Sequence, residues 1–306
     1  MITLIGVGHV FRLAEEIRDF IFTTNPDVVA IELDRQKLAH LLCKKVMRQL
    51  QSKEEKRSEE RISIEITVTV AGKKVGQSGK IMNFDYTTLL NDKGDVSFEI
   101  LNPKSFKTEG FYLRRRDMEE IFFQKKKRGI PFKYKLVEAI QNRLARENQV
   151  EAGDEMLAAF ESAFYLNRKV ALIDMDTREI LMRIHQNMSL KENVRFLFSI
   201  LAGMIKTKKD VTDELFKYES DYSTYMSEFE KKFPVLKREL IDNRNKHMAE
   251  NILNLAKEYN HVLAVVGEGH IEGIKELLLK TIPSEALRIK HLFDFEEFRK
   301  LLGERK

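Results

Sequence analysis

Apolar positions change their period several times along the chain, and each change predicts an element. The run Ile2–Ile5 has strand character, and so does Val28–Leu33, which is entered through Asn25-Pro26-Asp27. Between them, from about Arg12 to Thr24, Leu13, Ile17, Phe20 and Ile21 recur at helical spacing. Strand, helix, strand predicts two parallel strands joined by a right-handed crossover, with the helix stripe covering the sheet. The pattern then breaks. Gln51–Arg61 is a dense run of charge, after which Ile62, Ile64, Ile66, Val68 and Val70 alternate strictly with other residues. Gly72, Gly76, Gly79 and Asn91-Asp92-Lys93-Gly94 punctuate a series of further short segments, including Val96, Phe98 and Ile100. Residues 58–112 therefore read as an inserted, antiparallel β-rich subdomain, flanked by residues 1–50 and 113–306 of one α/β domain.

From Arg116 onward helical patterns dominate, interrupted by a strand at Val170–Asp174. Ser189-Leu190-Lys191-Glu192 is a capping box opening a helix with Phe196, Ile200 and Met204. The C-terminal part repeats the opening logic: a helix over Asp242–Tyr259, a strand at Val262–Val266, a glycine turn, and a helix at Glu272–Leu279 stopped by Pro283. Leu287–Phe293 and a helix from about Phe295 close the chain. The fold class expected is α/β: a central, largely parallel sheet of βαβ units flanked by helices, plus the small antiparallel insertion.

Composition narrows the function classes. The chain has 306 residues, 43% hydrophobic and 33% charged, ordinary values for a folded globular protein. Its single cysteine, Cys43, excludes an intramolecular disulfide and a thiolate metal cage, and fits a reducing compartment. No signal-like leader is expected, and the longest apolar stretch, Phe196–Ile205, is broken by Ser199 and Gly203 and falls short of the roughly 20 residues that span a bilayer. A cytoplasmic protein without a membrane span is the expectation. The net charge of +5 is modest, and the clusters Arg114–Arg116, Lys125–Arg128 and Lys206–Lys209 lack the interleaved aromatics of nucleic-acid surfaces, so no nucleic-acid partner is expected.

Candidate chemistry sits in two turns of one design, Gly6-Val7-Gly8-His9 and Gly267-Glu268-Gly269-His270. Each sets a histidine just past a hydrophobic strand. Loops at the carboxyl ends of parallel strands form the ligand crevice of such sheets, and Gly6, Gly8, Gly267 and Gly269 allow backbone amides to approach an anion or oxyanion. Glu32 ends the second strand and is expected beside the turn carrying His9, where a carboxylate orients an imidazole. A lone histidine after a strand is more often a hydrogen-bonded loop residue; its repetition in the same context is what points to chemistry. A rival reading is dinucleotide binding at Gly6-x-Gly8 with Glu32, but Phe11 stands where the fingerprint has its third glycine.

These motifs resemble the TraB/PrgY/GumN family, whose wider superfamily takes in Tiki-type metalloproteases and erythromycin esterases. The resemblance rests on the two G-x-x-H turns, Ala30-Ile31-Glu32-Leu33-Asp34, Gly153-Asp154-Glu155-Met156 with Ala158-Ala159, Leu172-Ile173-Asp174 leading to Arg183, and Leu240-Ile241-Asp242-Asn243-Arg244 with Met248-Ala249. It covers residues 1 to about 45 and about 115 to 282. Val7-Gly8 replaces the Thr-Ala of many members, and their hydrophobic C-terminal region is not matched.

The resemblance implies a hydrolase of peptide, amide or ester bonds, with His9, Glu32, His270 and Arg244 as catalytic residues and Arg183 as a further substrate or oxyanion contact. Two mechanisms are consistent with it. In one, His9, His270 and Glu155 hold one divalent ion, Mn, Co or Zn, that activates water; in the other, a histidine oriented by Glu32 is the base and no cofactor is needed. Each residue also has a blander role: a carboxylate complementing a helix dipole for Glu155, and surface ion pairs for Arg244 and Arg183. The alternative class is a non-catalytic protein that binds a peptide or regulates through the same cleft, and edge strands of the insertion allow a homodimer.

Overall fold

Apolar runs at Ile2–Val7 (β1), Val28–Ile31 (β2), Lys169–Leu172 (β5) and Val262–Gly267 (β6) form the centre of one sheet that has seven strands among the described residues. The structure is a computed structural model and describes residues 1–7, 13–60, 84–123, 153–205, 222–281 and 289–292. The expected alternation at Ile62–Val70, the basic clusters at Lys125–Arg128 and Lys206–Lys209, and the final helix from Phe295 lie outside those residues. The remaining strands are Val96–Leu101 (β3), Thr108–Leu113 (β4) and Ile289–Leu292 (β7). The order is β4-β3-β5-β2-β6-β1-β7, and every pairing is parallel except β3 with β4. The α/β class with a largely parallel sheet is thus as expected from the sequence.

One adjacency differs. The opening strand, helix Ala14–Thr24 (α1) and second strand do form, but β6 lies between β1 and β2, pairing Ile5 with Val265 on one side and Ile31 with Val265 on the other. Glu32 therefore stands beside the Gly267 turn, with β6 between its strand and β1. Local periodicity cannot reveal this, because the inserted strand comes from the far end of the chain. The hairpin β3–β4 also joins the main sheet: Leu101 pairs in parallel with Ala171 of β5.

Strand alternation sorts the core into two layers. Ile5, Val7, Val29, Ile31, Leu263 and Val265 meet α1, Arg35–Glu60 (α2), Arg115–Phe123 (α3) and Asp154–Tyr165 (α4). Ile2, Leu4, Val28, Ala30, Ala264 and Val266 turn the other way. A third cluster joins Ile180 and Ile184 of Thr177–Asn187 (α5), Phe196 of Leu190–Ile205 (α6), Phe229 of Tyr222–Lys232 (α7), and Val235 and Leu236 of Pro234–Lys237 (α8). The capping box is half formed: Ser189 Oγ accepts from the Glu192 amide at 3.2 Å, but the buried Glu192 carboxylate instead accepts from the Val235 and Leu236 amides that open α8. After a π turn at Arg238–Asp242, Asn243–Glu258 (α9) and Ile271–Thr281 (α10) cover the second face of the sheet. Among the described residues, no helix is long and apolar enough to cross a membrane.

Candidate active site at the carboxyl edge of the sheet

Glu32 follows Val28 and Ala30 at period two, so its side chain turns to the α9–α10 face. Its backbone amide donates to Val265 O at 3.0 Å, and its Oε2 accepts from the Gly267 amide at 2.5 Å. The turn after β6 thus closes over the end of β2. His270 ends the 3-10 turn Glu268–His270 that carries the chain into α10, and is buried. Gly6 is needed for this closure, since a Cβ there would lie 2.7 Å from Glu268 Oε2 and 2.9 Å from Ile271 Cγ1.

Arg244, in the first turn of α9, joins these groups. Its Nε and Nη2 donate to Asp174 Oδ1 and Oδ2 at 2.8 and 2.9 Å, a bidentate pair, and Nη2 also donates to Glu32 Oε1. Nη1 donates to Leu240 O at 3.2 Å and to His270 Nε2 at 2.9 Å. His270 Nε2 lies 3.4 Å from Glu32 Oε1, and its Nδ1 is 2.6 Å from Asn245 Oδ1. Lys37 Nζ donates to Asp174 Oδ2 at 2.7 Å, and the Met175 amide to Asp174 Oδ1 at 2.8 Å.

Charge is balanced within this cluster: Glu32 and Asp174 face Arg244 and Lys37. Burial by itself would raise the Asp174 carboxyl, but the Arg244 and Lys37 contacts outweigh it and hold the acid at about 2. Arg244 is raised although burial opposes its charge, because Glu32 and Asp174 surround it. Burial lowers the His270 imidazole below its ordinary value; Glu32 pulls the other way and Arg244 adds to the lowering. His270 is therefore neutral near pH 7.

The structure brings together Glu32, Arg244, Gly267 and His270 of the expected residues. His9 and Gly8 lie outside the described residues, although Val7 pairs with Gly267 and sets the start of the first turn level with the second. Gly6 packs beneath the second turn, and Gly269 lies within it. Arg183 sits on α5 in an exposed pair with Glu179 at 2.5 Å, away from this cluster of contacts. Glu155 is buried in the first turn of α4, a helix on the α1 face of the sheet. Arg114 and Arg115, from one basic cluster, pair with Asp117 and Glu119.

Sequence reasoning did not assign Asp174, Lys37 or Asn245 to the site. Asp174 carried a usable signal, an acid just past a strand like Glu32, whereas Lys37 and Asn245 stand on helices without any motif. The dinucleotide reading needs β1 and β2 adjacent and a free acid at the second strand, yet β6 separates the strands and Arg244 and Gly267 take the Glu32 carboxylate.

Glu32 and His270 are donors that divalent ions accept, but Oε1 and Nε2 are both engaged by the Arg244 guanidinium. Among the described residues, no group of three or more His, Cys, Asp or Glu side chains is placed to hold a metal. Of the expected metal set, His270 stands at this edge, Glu155 is carried by a helix on the other face of the sheet, and His9 lies outside the described residues; Glu32 and His270 by themselves, held by Arg244, do not fit a divalent ion.

The fold and this edge define the class: an α/β protein with a buried ionic cluster at the carboxyl ends of its parallel strands. A model of the TraB/PrgY/gumN family matches residues 122–280, more than half of the chain, and the chain belongs to that family. The matched stretch contains Glu155, Asp174, Arg183, Arg244, Asn245 and His270, but not the first G-x-x-H turn or Glu32. The uncharacterized protein MJ1365 of Methanocaldococcus jannaschii is 26% identical over 174 residues, 56% of this chain. The match spans 43% of that relative's length.

Proposed function

We propose that the chain is a hydrolase acting on a peptide, amide or ester bond at the carboxyl edge of β2 and β6. The observation supporting this is that Arg244 touches Glu32 and His270 at once, setting a carboxylate, a neutral imidazole and a fixed cation around one point. In the resting arrangement the Nε2 lone pair of His270 is occupied by Arg244. A substrate carbonyl oxygen that takes over the Nη1–H of Arg244 frees Nε2 to accept a proton from water as the water oxygen bonds to the carbonyl carbon. Arg244 then stabilises the tetrahedral oxyanion, and His270 returns the proton to the leaving amine or alcohol as the C–N or C–O bond breaks. Glu32 keeps Arg244 and the Gly267 turn in place. His9, two residues past Val7, is a further candidate at this edge.

The test is a panel of p-nitrophenyl esters and quenched fluorescent peptides, assayed with and without added manganese, cobalt or zinc, on the native chain, Glu32→Gln and His270→Ala. Turnover by the native chain that falls by about a hundredfold or more in His270→Ala, in protein that still melts cooperatively, supports the reading. Turnover unchanged by both substitutions overturns it. The capped Nε2 favours one second reading, a binding protein that never frees this nitrogen; a peptide retained by His270→Ala, with no turnover by the native chain, is its signature.

A further inference from the structure

The structure assigns Asn245 as a positioning residue: consecutive residues of α9, Arg244 and Asn245, grip the two ring nitrogens of His270 and fix it as the Nδ1–H tautomer. The assignment comes from the donors and acceptors each group carries. A guanidinium has only donors, so the contact of Arg244 Nη1 with His270 Nε2, at 2.9 Å, requires Nε2 to be the acceptor. A neutral imidazole then carries its hydrogen on Nδ1, and the group 2.6 Å away must accept it; Asn245 presents Oδ1 there. Both partners come from the first turn of one helix, so the ring cannot exchange its tautomer without breaking a bond at each end.

The neighbouring glycine supports this. Asn245 is 5% exposed, and its Nδ2 lies where a side chain on residue 273 would begin: a Cβ on Gly273 would be 2.1 Å from that nitrogen and 3.0 Å from Cγ. Gly273 sits inside α10, where alanine is the better helix former, so space for the Asn245 amide accounts for the glycine. The inference rests on the proposed hydrolase only for its catalytic consequence: Nε2, not Nδ1, is the nitrogen offered to water when Arg244 moves.

Nitrogen NMR of the full chain labelled with 15N-histidine tests it apart from any activity, the His270 signals being assigned by their loss in His270→Gln. The native chain is expected to show a protonated, pyrrole-type Nδ1 and an unprotonated, pyridine-type Nε2. Asn245→Leu leaves Nδ1–H without an acceptor and the ring held only at its other end, so an Nε2–H population, the form that free imidazole side chains prefer and that Glu32 Oε1 at 3.4 Å can accept from, should appear beside the native one, whereas Asn245→Asp, which keeps an acceptor, should retain Nδ1–H. Gly273→Ala, which displaces the amide without removing it, should reproduce the Asn245→Leu spectrum. An Nε2–H tautomer in the native chain overturns the assignment, and so does an unchanged tautomer in Asn245→Leu or, if that variant does not fold, in Gly273→Ala. With a substrate in hand, Asn245→Leu should lower kcat by about tenfold or more with KM little changed. A native Nδ1–H tautomer in a chain that hydrolyses nothing would leave this inference standing and sink the hydrolase.

Discussion

Arg244 and Arg35 both reach carboxylates from the first turn of a helix, one at the centre of the sheet and one at its antiparallel margin. Arg244 is 12% exposed, and its partners Glu32 and Asp174 are 10% and 0% exposed. Arg35 is 47% exposed and Glu109, on β4, 42%. In the first case the low-dielectric surroundings make any unpaired charge expensive, so the groups hold one another in place. In the second, water and salt compete with the pair at every moment. The same chemistry therefore organises a site in one region and decorates an edge in the other.

The contrast between the two arginines is greatest when Arg244 is removed. Arg244→Met leaves Glu32 and Asp174 facing each other with only Lys37 to offset them, and should cost about 3–5 kcal/mol of unfolding free energy. Adding Asp174→Asn should return part of that loss, because it removes the stranded charge rather than restoring a contact. Urea unfolding of the single and double variants measures both. A loss below about 1 kcal/mol in Arg244→Met would put the cluster in the same class as the surface pair.

Acid sharpens it further. Asp174 is held at about 2 in the folded chain, below its ordinary value of 3.8. A depressed acid contributes stability that is complete above the ordinary value and is lost as pH falls toward and through the folded value. The native chain should therefore lose about 2 kcal/mol between about pH 4 and about pH 2 on account of this group. Asp174→Asn should be less stable at neutral pH and lack that part of the acid slope; an identical slope in both proteins would mean that Asp174 is not the group responsible.

How much of this was legible depends on whether a residue's partner is local. The apolar run Val28–Leu33 placed Glu32 at the end of its strand, and the pattern of Asp242–Tyr259 gave the helix that carries Arg244. The strand between β1 and β2 was not legible, since β6 and β1 are joined by pairing across nearly the whole chain, so the two were expected to be neighbours and the Gly267 turn was not foreseen beside Glu32. Alternation at Val96, Phe98 and Ile100 likewise announced a strand but not which sheet it joins; the contact of Leu101 with Ala171 decides that. Lys37 and Asn245 had no signal at all, because their roles exist only once α2 and α9 reach Asp174 and His270.

The smallest effect is expected at the margin, and it is informative for being small. Arg35 makes two contacts: Nη2 with Glu109 Oε2 at 2.6 Å and Nη1 with Gly110 O at 3.2 Å. The register Ile100–Glu109 and Phe98–Phe111 alternates along β4, and the contact of the Asn102 amide with Lys107 O marks the residues bonded to β3, so the Gly110 carbonyl points away from β3, at the margin of the sheet among the described residues. Arg35 thus partly covers an edge that would otherwise offer its backbone to another strand. A double-mutant cycle with Arg35→Ala and Glu109→Ala should give a coupling of about 0.5 kcal/mol that fades as salt is raised, unlike the Arg244 cluster. Arg35→Ala alone should favour self-association more than Glu109→Ala, because only the former uncovers the Gly110 carbonyl; sedimentation at increasing concentration reads the difference. Equal association by the two variants would leave Arg35 as an ordinary surface ion pair with no part in guarding the edge.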